Sequence, residues 1–296
     1  MKVLMLGDSQ VGKTTYMASM YGFMADDVGF NIAATRSADA SALNRLARRV
    51  RRGEYPSRTE FRSEYNFEFR YTEGGERYSL FDFDWIDYRG GAINQRADDP
   101  VAADLERYLN EAQALIVFWD CSTFDSDDRQ IRRQWMRIKQ LTLSYAARAD
   151  ENKPLALTFL LTKYALIPDG WTETKIGSDL CSFIDLLGQN QYLHGMTAFS
   201  EINEDSVGNV YFPFLHSMKF GFLDEMNRRI ACCKRDRSAY VNRSFWGDLK
   251  ALFTEDAELN RLNASSARLE QLKILWDSAL ETLKEKDGEG YGYFLF

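Results

Sequence analysis

The first fifteen residues constrain this chain more than any other segment. Met1-Lys-Val-Leu-Met-Leu-Gly7 reads as a buried strand. It runs directly into Gly7-Asp8-Ser9-Gln10-Val11-Gly12-Lys13-Thr14, which matches the phosphate-loop pattern G-x-x-x-x-G-K-[ST]. Gly7 and Gly12 let the backbone turn sharply and aim its N–H groups at a phosphate. Lys13 sets a point charge beside the outer phosphates, and the Thr14 hydroxyl can ligate a magnesium ion. A helix predicted from Thr14 to about Met24 adds the positive end of its dipole. Strand, loop and helix in that order give the motif its context. The phosphate-binding set is therefore Asp8, Ser9, Gln10, Val11, Gly12, Lys13, Thr14 and Thr15.

The rest of the composition suits a folded enzyme-sized domain. Of 296 residues, 45% are apolar, with 20 Phe, 15 Tyr and 6 Trp, enough for a sizeable core. A net charge of −7 argues against a general nucleic-acid binder, because phosphate contacts need a basic surface. The four cysteines (Cys121, Cys181, Cys232, Cys233) form no C-x-x-C pair, so a reducing cytoplasm is expected rather than a disulfide framework. No apolar run reaches the length of a membrane span. The opening strand feeds the loop and leaves no room for a signal peptide. Only His194 and His216 are present, which excludes multi-histidine metal sites and disfavours a histidine triad.

Strands and helices alternate along the chain. Ser63–Tyr71 alternates polar and aromatic residues, Tyr78–Trp85 does the same, and Gly74-Gly75 lies between them, which predicts a hairpin. Ala114–Trp119 and Leu155–Leu161 are short apolar runs of the kind covered on both faces. Between them Ile131, Trp135, Ile138 and Tyr145 fall at helical spacing. The expectation is an α/β sheet with helices on both sides. From about Gly221 the pattern is helical, with one stripe of Phe245, Trp246, Leu249, Leu252 and Phe253. A second stripe runs from Leu269 to Leu283. The apolar tail after Asp287 (Tyr291, Tyr293, Phe294, Leu295, Phe296) needs cover, either on this chain or on a partner.

A phosphate loop needs a second carboxylate at the end of another strand to hold its magnesium ion. Asp87-Tyr88-Arg89-Gly90 supplies one, with Asp82 and Asp84 as rivals. This D-x-x-G resembles the third motif of Ras-like GTPases. The resemblance implies that Asp87 holds a water on the metal and that the Gly90 N–H contacts the terminal phosphate. Glu54-Tyr55-Pro56-Ser57-Arg58-Thr59 resembles that family's first switch, which implies a metal-ligating role for Thr59, with Thr35 as the rival. The intervening Ala38–Arg52, part of an insertion over about 30–58, is rich in arginine and reads as a solvated helix face. Thr162-Lys163-Tyr164-Ala165 stands where the family has N-K-x-D, and Ala165 lacks the carboxylate that pairs with guanine. Met196-Thr197-Ala198-Phe199-Ser200 resembles the S-A-x loop, which implies base contacts from Thr197 and Ala198 beside those of Thr162 and Lys163. Gly91 follows Gly90 where fast-hydrolysing relatives carry a glutamine; Gln95 could replace it only if the loop folds back.

The resemblance covers about residues 1–220 and is most similar to the bacterial double-GTPase group. Those are Ras-like GTPases of the translation-factor-related class, found in multi-protein systems with defence or conflict roles. It implies a P-loop NTPase three-layer sandwich with a mostly parallel central sheet over 1–220, and a helical C-terminal extension over 221–296 packed on it. It further implies Mg2+ held by Thr14, Thr59 and Asp87, bound GTP or GDP, and catalytic roles for Lys13, Thr59 and Gly90. The expected function is a guanine-nucleotide switch with slow hydrolysis and a partner GTPase or effector protein. Two alternatives stay open: an ATP-using P-loop enzyme, which Ala165 permits, and a nucleotide-locked interaction protein with negligible hydrolysis.

Overall fold

The computed structural model describes residues 1–25, 29–56, 63–73, 75–88, 100–203, 207–241, 260–264, 266–267, 270, 274 and 293–295. The opening run forms β1 (Lys2–Leu6), in which Val3, Leu4, Met5 and Leu6 are buried. A strand this apolar needs cover on both faces, and it lies in the middle of the sheet. It runs parallel to β4 (Glu76–Asp87) on one side and β5 (Ala114–Asp120) on the other. β6 (Leu155–Thr162) and β7 (Leu193–Ile202) extend the parallel part. The other edge is closed by β3 (Ser63–Glu73) and β2 (Gly29–Ala34), both antiparallel to their neighbours. The order is β2-β3-β4-β1-β5-β6-β7-β8, with β8 (Val207–Gly208) antiparallel to the end of β7.

The β3–β4 hairpin follows from its alternation. Phe67 pairs with Phe83 and Phe69 with Phe81, all on one buried face. The register then shifts so that Arg70 faces Ser79, leaving Leu80 as the extra residue of a bulge. β2 was not anticipated: the segment treated as an insertion contributes this strand and then α2 (Ser37–Val50). Leu43, Ala47 and Val50 make the buried face of α2, whereas Arg45, Arg48 and Arg49 are exposed. That is the solvated arginine face expected from the spacing.

Helices cover both faces of the sheet, completing a three-layer sandwich. On one face lie α1 (Lys13–Met24) and the first turns of α6 (Tyr211–Val241). The Tyr16 ring meets Phe118 edge-on at 5.4 Å, and its hydroxyl donates to the Val210 carbonyl at 2.7 Å. Phe214 packs among Phe69, Phe83 and Trp85. Pro213 sits in the first turn of α6, where a missing N–H costs nothing. On the other face α3 (Pro100–Glu111), α4 (Arg129–Ala146) and α5 (Lys175–Leu187) bury Leu105, Trp135, Ile138, Tyr145, Leu180 and Phe183 against the strands. Asp128 caps α4 by accepting from the Gln130 N–H, and Thr174 caps α5 through Gly177.

The chain divides into two compact units, Met1–Phe220 with Gly290–Phe296, and Gly221–Glu289. In the second, α6 continues through the i,i+4 pairs Asp224–Arg228 and Glu225–Arg229, and residues 260–264 are helical. The stripe residues from Phe245 to Phe253 and from Leu269 to Leu283 lie outside the described residues. The tail differs from its expected place in the helical extension. Tyr293–Leu295 forms β9, antiparallel to Met196–Ala198 of β7. Among the described residues no helix is long and apolar enough to cross a membrane.

Candidate functional site

The parallel strands all end on the same side of the sheet, which is where open α/β sheets bind ligands. Gly7 is the point at which β1 leaves the sheet. A Cβ there would stand 2.9 Å from the Phe118 Cβ and carbonyl oxygen and from Val11 Cγ2, so only glycine lets the loop fold this close to β5. Gly12, with φ 96°, occupies the left-handed region that L side chains avoid, and turns the chain into α1. Among the described residues no side chain caps the α1 N-terminus, so the loop and the helix end present backbone N–H groups and a positive dipole end.

Lys13 is buried, and its ammonium donates to the Gly7 and Asp8 carbonyls at 2.8 Å each. Burial pulls its pKa down, while Asp87 and Asp8 oppose that. Thr14 Oγ1 donates to Asp87 Oδ2 at 2.7 Å. Asp87 is fully buried at the end of β4, opposite Met5 of β1, and its Oδ1 has no hydrogen-bond partner among the described residues. Burial pushes its pKa up, opposed by the Lys13 charge and the Thr14 hydrogen bond. The rivals lie elsewhere. Asp82 is exposed, and Asp84 accepts from Asn66 Nδ2 at 2.5 Å, opposite Lys2 at the far end of β1. Thr35 is bound to β3 through the Asn66 carbonyl.

A hydroxyl, an orphaned carboxylate oxygen and a buried ammonium beside uncapped N–H groups form a donor set that fits a hard cation with a phosphate. Among the described residues no three His, Cys, Asp or Glu side chains gather into a metal cluster. Magnesium needs none: it takes one or two carboxylates and completes its shell with waters and phosphates.

The loop opens into a cavity of about 550 Å³. Ser9, Gln10, Gly12, Lys13, Thr14 and Thr15 line it on the loop side. Thr162, Lys163, Ala165 and Leu166 line it from the end of β6, and Ser200–Asn203 from the end of β7. Tyr55 and Pro56 complete the wall, with the Tyr55 hydroxyl 3.4 Å from the Ile202 carbonyl oxygen it donates to. Thr162 ties the two ends together, its hydroxyl 2.8 Å from the Val11 carbonyl and 3.1 Å from that of Trp119. Lys163, at φ 55°, pairs with Asp120. The Ala165 N–H donates to Glu201 Oε2 at 2.9 Å.

Two expected loop residues, Asp8 and Val11, do not line the cavity. The Asp8 carboxylate accepts from Gln134, and Val11 is buried with its carbonyl on Thr162. Thr197 and Ala198 are displaced further. Both are buried in the middle of β7, opposite Phe159 and Leu160 of β6. The strand runs on to Ile202, so the segment that meets the cavity starts at Ser200, three residues later than the motif match implied. Leu166, Glu201, Ile202 and Asn203 were missed as cavity residues, and only the position of Glu201 next to the quoted motif pointed to any of them; Tyr55 and Pro56 lie within the quoted first-switch segment, which assigned a role to Thr59 alone. Thr59 and Gly90, with Arg58, Arg89, Gly91 and Gln95, lie outside the described residues.

The profile of a family described as Double-GTPase 2 matches residues 3–205. No curated protein matches the chain in sequence. Similar solved structures include the signal recognition particle receptor SRb-GTP/SRX complex from Chaetomium thermophilum. It shares 14% identity over 74% of this chain and 89% of that one, with a TM-score of 0.38. Another is the GTPase-like domain of Ski7 from S. cerevisiae bound to GTP. It shares 14% identity over 70% of this chain and 45% of that one, with a TM-score of 0.34.

Proposed function

This chain belongs to the Double-GTPase 2 family, and on that premise we propose that it is a guanine-nucleotide switch that hydrolyses GTP slowly with Mg2+. The observation that carries the reading is the Thr14–Asp87 contact, with Asp87 Oδ1 unpartnered among the described residues, beside the buried Lys13. In this reading the loop N–H groups hold the phosphates, and Lys13 exchanges its two carbonyl acceptors for phosphate oxygens. Thr14 and Asp87 hold the metal side, and Mg2+ supplies neutralisation of charge on the phosphate oxygens. Lys163 and the ends of β6 and β7 receive the base. Thr59 completes the metal shell and Gly90 senses the terminal phosphate, as the resemblance implies. Gly91 has no side chain to orient a water, so turnover is slow until a partner protein contributes a glutamine or arginine. A partner GTPase or effector in a multi-protein system fits that need.

The test is direct. Lys13 supplies charge rather than packing, and losing its charged contacts costs roughly 3 kcal/mol. Lys13→Ala is therefore expected to weaken a fluorescent GTP analogue about 100-fold while circular dichroism stays unchanged. Thr14→Ala is expected to remove the magnesium dependence of binding. Undiminished affinity in the Lys13 variant assigns the phosphates elsewhere. Fast single-turnover hydrolysis by the isolated chain, lost in Arg58→Ala or Arg89→Ala, removes the need for a partner.

A further inference from the structure

We propose that Glu201 reads the base, its carboxylate filling the role that Ala165 has no side chain to perform. This rests on the reading above that the cavity holds a nucleotide. Ala165 and Glu201 are 36 residues apart in sequence, yet the parallel pairing of β6 with β7 brings the segments after Thr162 and Ser200 together at one end of the sheet. There the Ala165 N–H donates to Glu201 Oε2 at 2.9 Å, so the carboxylate stands over the backbone of residue 165. Both residues line the cavity, in the wall formed by β6 and β7 rather than in the phosphate loop. Among the described residues that line it, Glu201 alone is acidic. Its charge is not spent on Lys163, whose ammonium pairs with Asp120.

The chemistry of the carboxylate selects the base. An ionised carboxylate only accepts hydrogen bonds. Guanine presents two adjacent donors, N1–H and the 2-amino group, which two carboxylate oxygens can receive side by side. Adenine turns an unprotonated N1 toward the same place, so acceptor would face acceptor. Hypoxanthine keeps N1–H but lacks the amino group. A site built around Glu201 therefore discriminates by setting acceptor against acceptor, or by leaving one carboxylate oxygen without a donor, when the base is wrong. The backbone bond to Ala165 holds one oxygen in position, so little ordering is left for the moment of binding.

The experiment measures the affinity of the full chain for the diphosphates of guanosine, inosine, xanthosine and adenosine, each with Mg2+. The wild-type chain is expected to favour guanosine over inosine about tenfold and over adenosine by more. Glu201→Gln and Glu201→Ala are expected to lose about 10- to 100-fold in guanosine diphosphate affinity. Glu201→Gln, which presents one donor and one acceptor, is expected to gain xanthosine diphosphate, whose 2-position is an acceptor. Equal guanosine and adenosine affinity in the wild-type chain overturns the guanine reading and this proposal with it. A wild-type preference for guanosine that both variants retain overturns the role of Glu201 and leaves the guanine reading standing. The inosine comparison uses the unaltered chain, so it is independent of how the variants fold. Equal inosine and guanosine affinity there also overturns the proposal.

Discussion

Asp87 is a carboxylate with no exposure and one oxygen without a partner among the described residues, which is costly to a fold holding no ligand. Burial is the leading cause of its raised pKa. An acid whose folded pKa lies above its unfolded value binds its proton more tightly in the fold. Its charged form therefore destabilises the native state as pH rises through that range. Asp87→Asn removes the charge and keeps the shape. Lys13 keeps both carbonyl acceptors and the neighbouring charge of Asp8, so desolvation of the carboxylate decides the sign. In EDTA at neutral pH the Asn variant is expected to melt at a higher temperature than the wild-type protein. With Mg2+ its GTP affinity is expected to fall about 100-fold. A lower melting temperature in EDTA would make Asp87 a structural partner of Lys13 instead.

Among elements, β9, like β2, has a place that local pattern did not indicate. Without it, Met196–Ala198 of β7 would be an open sheet edge, and open edges invite pairing with other chains. Tyr293–Leu295 covers that edge by backbone pairing within this chain. Leu295 nevertheless stays 62% exposed, so backbone pairing rather than its side chain holds the strand. A few ladder hydrogen bonds, net of ordering entropy, contribute about 1–2 kcal/mol. Deleting residues 288–296 is therefore expected to lower the melting temperature by roughly 2–8 °C. Unchanged stability, with a protein partner lost from co-purification, would assign the tail to an interface. Elements with a strong local signal behave otherwise. The hairpin alternation and the 3.6-residue period of α4 each placed the right residues on the buried face.

At the scale of the whole molecule, global stability carries a pH dependence from His216. The ring is buried, with Nδ1 3.0 Å from the Thr158 hydroxyl oxygen. Burial, then Lys219 and His194, bring its pKa down to about 3. The ring is neutral in the fold and takes a proton in the unfolded chain below about pH 6.5. Stability is present above that value and is lost at about 1.4 kcal/mol per unit as pH falls toward 3. Urea unfolding of His216→Asn at pH 7, 6 and 5 is expected to show a flatter decline than the wild-type chain; an equal slope would place the dependence on other groups. The sequence by itself determined the turn of the phosphate loop, the apolar central strands and the hairpin. Each is encoded locally, by backbone freedom at glycine, by apolar runs or by side-chain period. Only the tertiary structure decided that β2 joins the sheet, that β7 runs past Thr197 and Ala198 to Ile202, that β9 closes an edge, and that Glu201 meets Ala165. Those outcomes depend on which distant backbones pair and where a strand stops. Such choices are settled by hydrogen bonding and burial between segments far apart in the chain, which no local pattern records.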